Sequence, residues 1–221
     1  MQQSTLLKKG IAIGLLCLLL TGCAGQTASE DAATESADNA AAQTIQTTEQ
    51  KAPFMTRLQQ TADYNIPDMT SFQAQDLDGN AVDASIFADH TLTMVNVWTT
   101  WCSPCIEEMP SLETLRGKLA DEGIQLVSIL ADAVLEGETS QEAVQLAQEI
   151  RDKANVQYPI ILPDETLCQG TLKELTAYPV TFFVDSSGKV VGNSYLGARD
   201  LDEFLAIALQ ELTALSDKQQ P

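Results

Sequence analysis

A chain of 221 residues, 44% of them hydrophobic, carries enough apolar material for one ordinary core and little for a second once a leader and a linker are set aside. Its 12 Lys and Arg against 31 Asp and Glu leave a formal charge of -19. That sign repels phosphate backbones and excludes nucleic acid as a natural partner, while saying nothing about the fold.

Lys8 and Lys9, the apolar run Ile11 to Leu20 and the small residues after it have the layout of an export leader, and the run is too short to span a bilayer. At its end Leu20-Thr21-Gly22-Cys23 resembles the lipobox of bacterial lipoproteins, which implies a signal peptide over residues 1–22 and lipidation of Cys23. From Ala24 to about Gln60, Ala, Thr, Gln, Ser, Asp and Glu dominate, and burial cannot offset the entropy of ordering such a segment. The expectation is a disordered acidic tether over 23–62, spanning about 30 Å as a flexible coil, ahead of a domain over 63–217. Near its end Phe54 to Leu58 offers a weak amphipathic helix.

Asp78-Gly79, between Phe72 and Val82, predicts a hairpin turn. Leu92 to Trp98 reads as a buried strand, and Ile106, Met109, Leu112, Leu115 and Leu119 then recur at helical spacing on one face. Ile124 to Leu130 predicts a second buried strand, followed by an acidic loop and a helix with Ala143, Leu146, Ala147 and Ile150 inward. Strand, helix, strand, helix implies parallel pairing. Thr181 to Val184, the turn at Ser186-Ser187-Gly188 and Val190 to Tyr195 predict an antiparallel pair, and a last helix turns Leu201, Phe204, Leu205, Leu209 and Leu212 inward. The fold class is α/β, a central mixed β-sheet flanked by helices.

The chemistry is concentrated in Trp101-Cys102-Ser103-Pro104-Cys105, at the junction of the first buried strand and its helix. The first turn of a helix presents free N–H groups and the positive end of the dipole, which stabilise a thiolate at the leading position; such thiols titrate at roughly 3.5 to 7.5 instead of about 8.5. Pro104 suits that turn, because its missing N–H costs no bond there. Cys102 is therefore the attacking thiol and Cys105 the resolving one, with a redox-active Cys102–Cys105 disulfide as the product and no other cofactor called for. Glu108 shares a helix face with Cys105 and either exchanges a proton with it or is a solvated acid like Glu107.

Val95-Asn96-Val97-Trp98-Thr99-Thr100-Trp101-Cys102-Ser103-Pro104-Cys105, with Glu108-Met109-Pro110 after it, resembles the active-site segment of the membrane-tethered thioredoxin-like family, the TlpA and ResA group. The resemblance implies a thioredoxin-like fold with an N-terminal β-hairpin extension and a catalytic role for Glu108. It also implies a cis-proline at Pro179, in Tyr178-Pro179-Val180-Thr181, beside which the backbone pairs with substrate. The activity implied is that of an extracytoplasmic thiol-disulfide reductase acting on disulfides of exported proteins and re-reduced by a membrane electron-donor protein. An apocytochrome c, a methionine sulfoxide reductase and a pool of misoxidised thiols stay open as substrates. Val180 stands where many members carry Thr, and Ser103-Pro104 sets a potential that sequence does not fix, so a disulfide-forming oxidase or isomerase remains the alternative direction.

Other chemistries fit less well. Thr99 has the peroxiredoxin spacing to Cys102, but Val95 stands where those proteins carry Pro. Copper-delivering relatives pair Cys-x-x-x-Cys with a distant His, and a structural zinc site needs a second ligand pair, which Cys168 and His90 do not supply at usual spacing. A tethered adaptor has no use for the Cys pair. Cys168, left over after the others are assigned, reads first as a small buried hydrophobe and second as a third redox thiol.

Overall fold

The computed structural model describes residues 56–219. The expected leader, Cys23 and the tether up to residue 55 lie outside the described residues.

The chain first makes a hairpin, β1 (Gln73–Asp76) and β2 (Ala81–Asp83). The Asp76 carboxylate closes the turn by accepting hydrogen bonds from Asp78 N, Asn80 N and Asn80 Nδ2, and Gly79 takes the left-handed φ of +83° there. Then come β3 (Leu92–Trp98), helix α1 (Ser103–Ala120) and β4 (Ile124–Leu130), with β3 and β4 parallel and residue 92 opposite 124. A small hairpin, β5 (Val134–Leu135) and β6 (Glu138–Thr139), leads to α2 (Gln141–Ala154), β7 (Ile160–Leu162) and the short α3 (Glu165–Gln169). The antiparallel pair β8 (Val180–Asp185) and β9 (Val190–Leu196) and helix α4 (Leu201–Gln219) complete the domain.

One seven-stranded mixed sheet results, in the order β2-β1-β7-β4-β3-β8-β9. β3 is buried along its whole length, which is why five of its seven residues are apolar. Its residues alternate between two cores: Leu92, Met94 and Trp98 join Leu112, Leu115, Phe183 and Phe204 on one face, and Val95 and Val97 join Val127, Ile129, Phe182 and Phe87 on the other. β3 and β4, at the middle of the sheet, thus end together, at Trp98 and Leu130, and the loop bearing Cys102 leaves from that end.

Four expectations are corrected. Residues 56–62, assigned to the tether on composition, pack on the domain: Leu58 is buried, Ala62 bridges to Ser194, and Arg57 pairs with Glu203 at 2.9 Å. On α2 the inward stripe is Ala143, Ala147 and Ile150, with Leu146 exposed, because the helix meets α1 and the 131–133 turn through small side chains. On α4 the buried face is Phe204, Ile207, Ala208 and Leu215, and Leu201, Leu205, Leu209 and Leu212 are only half-buried. Two buried carboxylates set that rotation: Glu203 exchanges hydrogen bonds with Asp200 across the first turn, and Glu211 accepts from Tyr195 Oη at 2.6 Å and Asn193 Nδ2 at 2.8 Å. Cys168 is half-buried on α3 rather than a core residue.

Candidate functional site

The site begins with a row of polar residues that the strand register places on one face of the sheet. Asn96 on β3 lies opposite Ser128 on β4 and Thr181 on β8, and Thr181 lies opposite Tyr195 on β9. All four are buried. A buried polar row needs partners, and α1 brings one: Asn96 Nδ2 donates to Glu108 Oε1 at 3.0 Å and to Thr181 Oγ1 at 3.2 Å.

Cys102 is the N-cap residue of α1, in extended conformation, with Pro104 in the first turn, and Ile106 N donates to the Cys102 carbonyl. The two sulfurs are joined in a disulfide with the Cα atoms 5.3 Å apart. Cys102 is 5% exposed and Cys105 1%, so the leading residue is the more accessible of the pair. Trp101 is 69% exposed and meets the Tyr178 ring edge-on at 5.9 Å, while Ser103 and Pro104 are exposed. The loop before the disulfide is pinned from β4's end: Asp132 accepts from Thr100 N at 3.0 and 3.1 Å and from the Thr100 hydroxyl.

The Tyr178–Pro179 bond is cis. Val180 pairs with Val97, so Pro179 falls opposite Trp98, at the end of β3 from which the disulfide loop departs. Its carbonyl accepts from Gly197 N at 2.8 Å.

Glu108 sits one helical turn beyond Cys105 and is 5% exposed, whereas its neighbour Glu107 is solvated. Burial pushes its pKa up to about 8, against the opposing pull of the Asn96 bond, the bond from Arg199 N to Oε2 at 3.2 Å and the Arg199 charge. At neutral pH the carboxyl is mostly protonated. The thiol of Cys168 is pushed up by burial and by Asp164 and Glu165, the opposite of what a reactive thiol needs. His90 precedes β3 at the end remote from the disulfide. Among the described residues no cluster of His, Cys, Asp and Glu could hold a metal ion, and no helix is long and apolar enough to cross a membrane.

Three residues of this site have no role that the sequence alone assigns. Asn96 carried a signal, as the one amide inside an apolar strand; Asp132 and Arg199 carried none, since each acts across more than 30 residues.

A mixed sheet with a Cys-x-x-Cys disulfide at a strand-to-helix junction, and a cis-proline at the adjoining strand start, defines the thioredoxin-like class of α/β protein. A thiol:disulfide interchange protein of the thioredoxin family from Chlorobium tepidum TLS shares the fold at 23% identity and a TM-score of 0.52, covering 68% of this chain and 99% of that one. A DsbE-type protein from Chlorobium tepidum does so at 21% identity and 0.53, covering 69% and 99%. The family model for Redoxin matches residues 61–204, and the chain belongs to that family. Thiol-disulfide oxidoreductase ResA of Bacillus cereus is 26% identical over 121 residues, 55% of this chain and 64% of its own. Thioredoxin-like protein YneN of Bacillus subtilis is 26% identical over 111 residues, 50% and 59%. The chain thus spans less than two thirds of the length of these curated relatives.

Proposed function

We propose that the protein is an extracytoplasmic thiol-disulfide oxidoreductase that reduces disulfides of exported proteins through Cys102 and Cys105. The observation that carries this is the disulfide at the start of α1 with a buried, protonated carboxyl one turn behind its second sulfur.

In the reduced enzyme the helix N-terminus favours the Cys102 thiolate. It attacks one sulfur of a substrate disulfide; a Cys102–substrate S–S bond forms, the substrate bond breaks, and the other substrate sulfur leaves as a thiolate that takes up a proton. Cys105, passing its proton to the ionised fraction of Glu108, then attacks Cys102 Sγ; the Cys102–Cys105 bond forms, the mixed-disulfide bond breaks, and the second substrate sulfur leaves as a thiolate that takes up a proton, leaving the disulfide seen here. Two electrons pass from enzyme to substrate. In the return half-reaction a thiolate of the donor protein attacks Cys102 Sγ and Cys105 leaves, taking its proton from protonated Glu108; the donor's second thiolate then attacks the donor sulfur of the mixed disulfide, the donor becomes a disulfide and Cys102 is released as a thiolate. The same carboxyl serves both directions because its pKa of about 8 is close to working pH.

Trp101 and Tyr178 border the pair and offer an apolar bed for the substrate chain. The Pro179 carbonyl is taken by Gly197, which leaves the main chain of Tyr178 to pair with an extended substrate. No side chain at Val180 is available to select it, since Val180 is fully buried. The lipobox-like Leu20-Thr21-Gly22-Cys23 supports a lipid anchor at Cys23 and a tether to the outer face of the membrane, within reach of a membrane protein that returns the electrons. The resemblance of the active-site segment to the TlpA and ResA group favours this direction over that of a disulfide donor.

Reduction of a model protein disulfide by the dithiol form tests the reading. Cys102→Ser is expected to abolish turnover, Cys105→Ser to trap the mixed disulfide, and Glu108→Gln to slow both half-reactions about 100-fold. Full activity in Cys102→Ser would overturn the reading, because reduction would then not pass through the Cys102 thiolate.

A further inference from the structure

The loop between β9 and α4 carries a buried cation, Arg199. Arg199 is 6% exposed, and its guanidinium is held at two points by the first described residues of the chain: Nη1 donates to the Arg57 carbonyl at 2.7 Å and Nη2 to the Gln60 carbonyl at 2.9 Å. It lies over the Tyr195 ring, 5.3 Å from the centroid. Its main-chain N–H is one of the two donors on the Glu108 carboxyl. The segment that holds it is itself fastened, at Arg57 by the ion pair to buried Glu203 and a bond to the Ala198 carbonyl, and at Ala62 by its bridge to Ser194.

We propose that Arg199 is a positioning residue for Glu108, fastened by the leading segment Arg57–Ala62, so that the first residues of the folded domain are part of the support of the redox site. It rests on Glu108 being the proton partner of Cys105. Three observations converge on it. A fork of two N–H groups onto two carbonyls of one segment fixes the orientation of the arginine, which a point cation would not do. The fixed side chain fixes the backbone that carries it, and that backbone delivers the bond to Oε2. The Arg199 charge itself acts on the Glu108 carboxyl, and the guanidinium that carries it is buried and held by the leading segment.

The other groups that face Glu108 are Cys105 on its own helix, Tyr158 ahead of β7, and the neutral Asn96 of β3, which also binds Thr181 of β8. Tyr158 is a phenol whose ionisation is pushed up by burial and by Glu108 itself, so it stays neutral. Arg199 is therefore the one cation acting on the carboxyl among the described residues, and its charge pulls the Glu108 pKa down from where burial alone would leave it.

The test is the pH profile of the rate at which a small dithiol reduces the Cys102–Cys105 disulfide in the full chain, corrected for thiolate fraction of the reductant. The wild-type rate is expected to fall through an inflection at about 8. Arg199→Ala is expected to move that inflection up by about half a pH unit or more, and Arg199→Lys, which keeps a cation to fill the site, by less in the same direction. A role in stability alone would lower the melting temperature and leave the inflection in place. An unmoved inflection in a folded Arg199 variant, with Glu108→Gln abolishing it, overturns the proposal and leaves the role of Glu108 standing. An inflection that survives Glu108→Gln overturns that role and the proposal with it.

Discussion

Glu108 shows how one carboxyl comes to differ from its neighbour by placement alone. Glu107 and Glu108 have the same chemistry, but the helix turns the second under the sheet, where Asn96 and a main-chain N–H meet it and water does not. Its proton is held up to about 8, against 4.5 in an exposed glutamate. Between those values the unfolded chain binds fewer protons than the folded one, so the contribution to stability is fully present below 4.5 and is lost as pH rises through about 8. Glu108→Gln, which cannot ionise, is therefore expected to be more stable than wild type above pH 8, by on the order of 3 kcal/mol, and to lose that advantage in acid. Denaturant midpoints at both pH values check this; parallel midpoints across pH would mean that the carboxyl is not held protonated. The spacing from Cys105 marked Glu108 as a candidate in the sequence, but spacing is equally compatible with a solvated acid. What separates the two is the Asn96 amide, bonded to both Glu108 and Thr181, and that pairing exists only once strand register is set.

Among the elements, those read well from sequence bury apolar side chains over several turns or strand residues. β3 and β4 have the predicted bounds, and the buried face of α1 is the expected one from Met109 to Leu119, because long apolar stretches bounded by turns leave few alternatives. β7 and the hairpin of β5 and β6 went unseen, being two or three residues long and defined by partners. α4 was seen but misrotated: apolar residues cover more than one side of it, so periodicity alone does not choose a face, and the buried Glu203 and Glu211 do. The polar composition of 56–62 reads as tether, and the segment is held instead by ion pairing and main-chain bonds. One contact tests the α4 account. Gly192 on β9 has φ +68°, and a Cβ there would overlap the Glu211 carboxylate. Gly192→Ala should cost about 1–3 kcal/mol in chemical denaturation through displacement of that buried acid. A neutral substitution would show that Glu211 does not fix the packing of α4 on β9.

At the scale of the whole molecule, the described domain gathers its chemistry at one end of the sheet. The disulfide loop leaves β3, the Asp132 clamp leaves β4, the cis-proline enters β8 and Arg199 follows β9, so four connections meet where parallel and antiparallel strands end together. Three of the exposed large hydrophobic residues, Trp101, Leu135 and Leu196, belong to those same connections or strand ends. Such an end suits contact with a protein chain better than capture of a small molecule. The negative charge of the chain keeps the domain soluble on its proposed tether.

The measurement that bears most directly on the proposed reductase is the reduction potential of the Cys102/Cys105 pair, titrated against glutathione or dithiothreitol with Cys168 replaced by Ala. The account predicts a value near that of thioredoxin, about -270 mV, low enough to reduce substrate disulfides given a supply of electrons from the membrane. A value near about -120 mV would contradict it and make the protein a donor of disulfides instead.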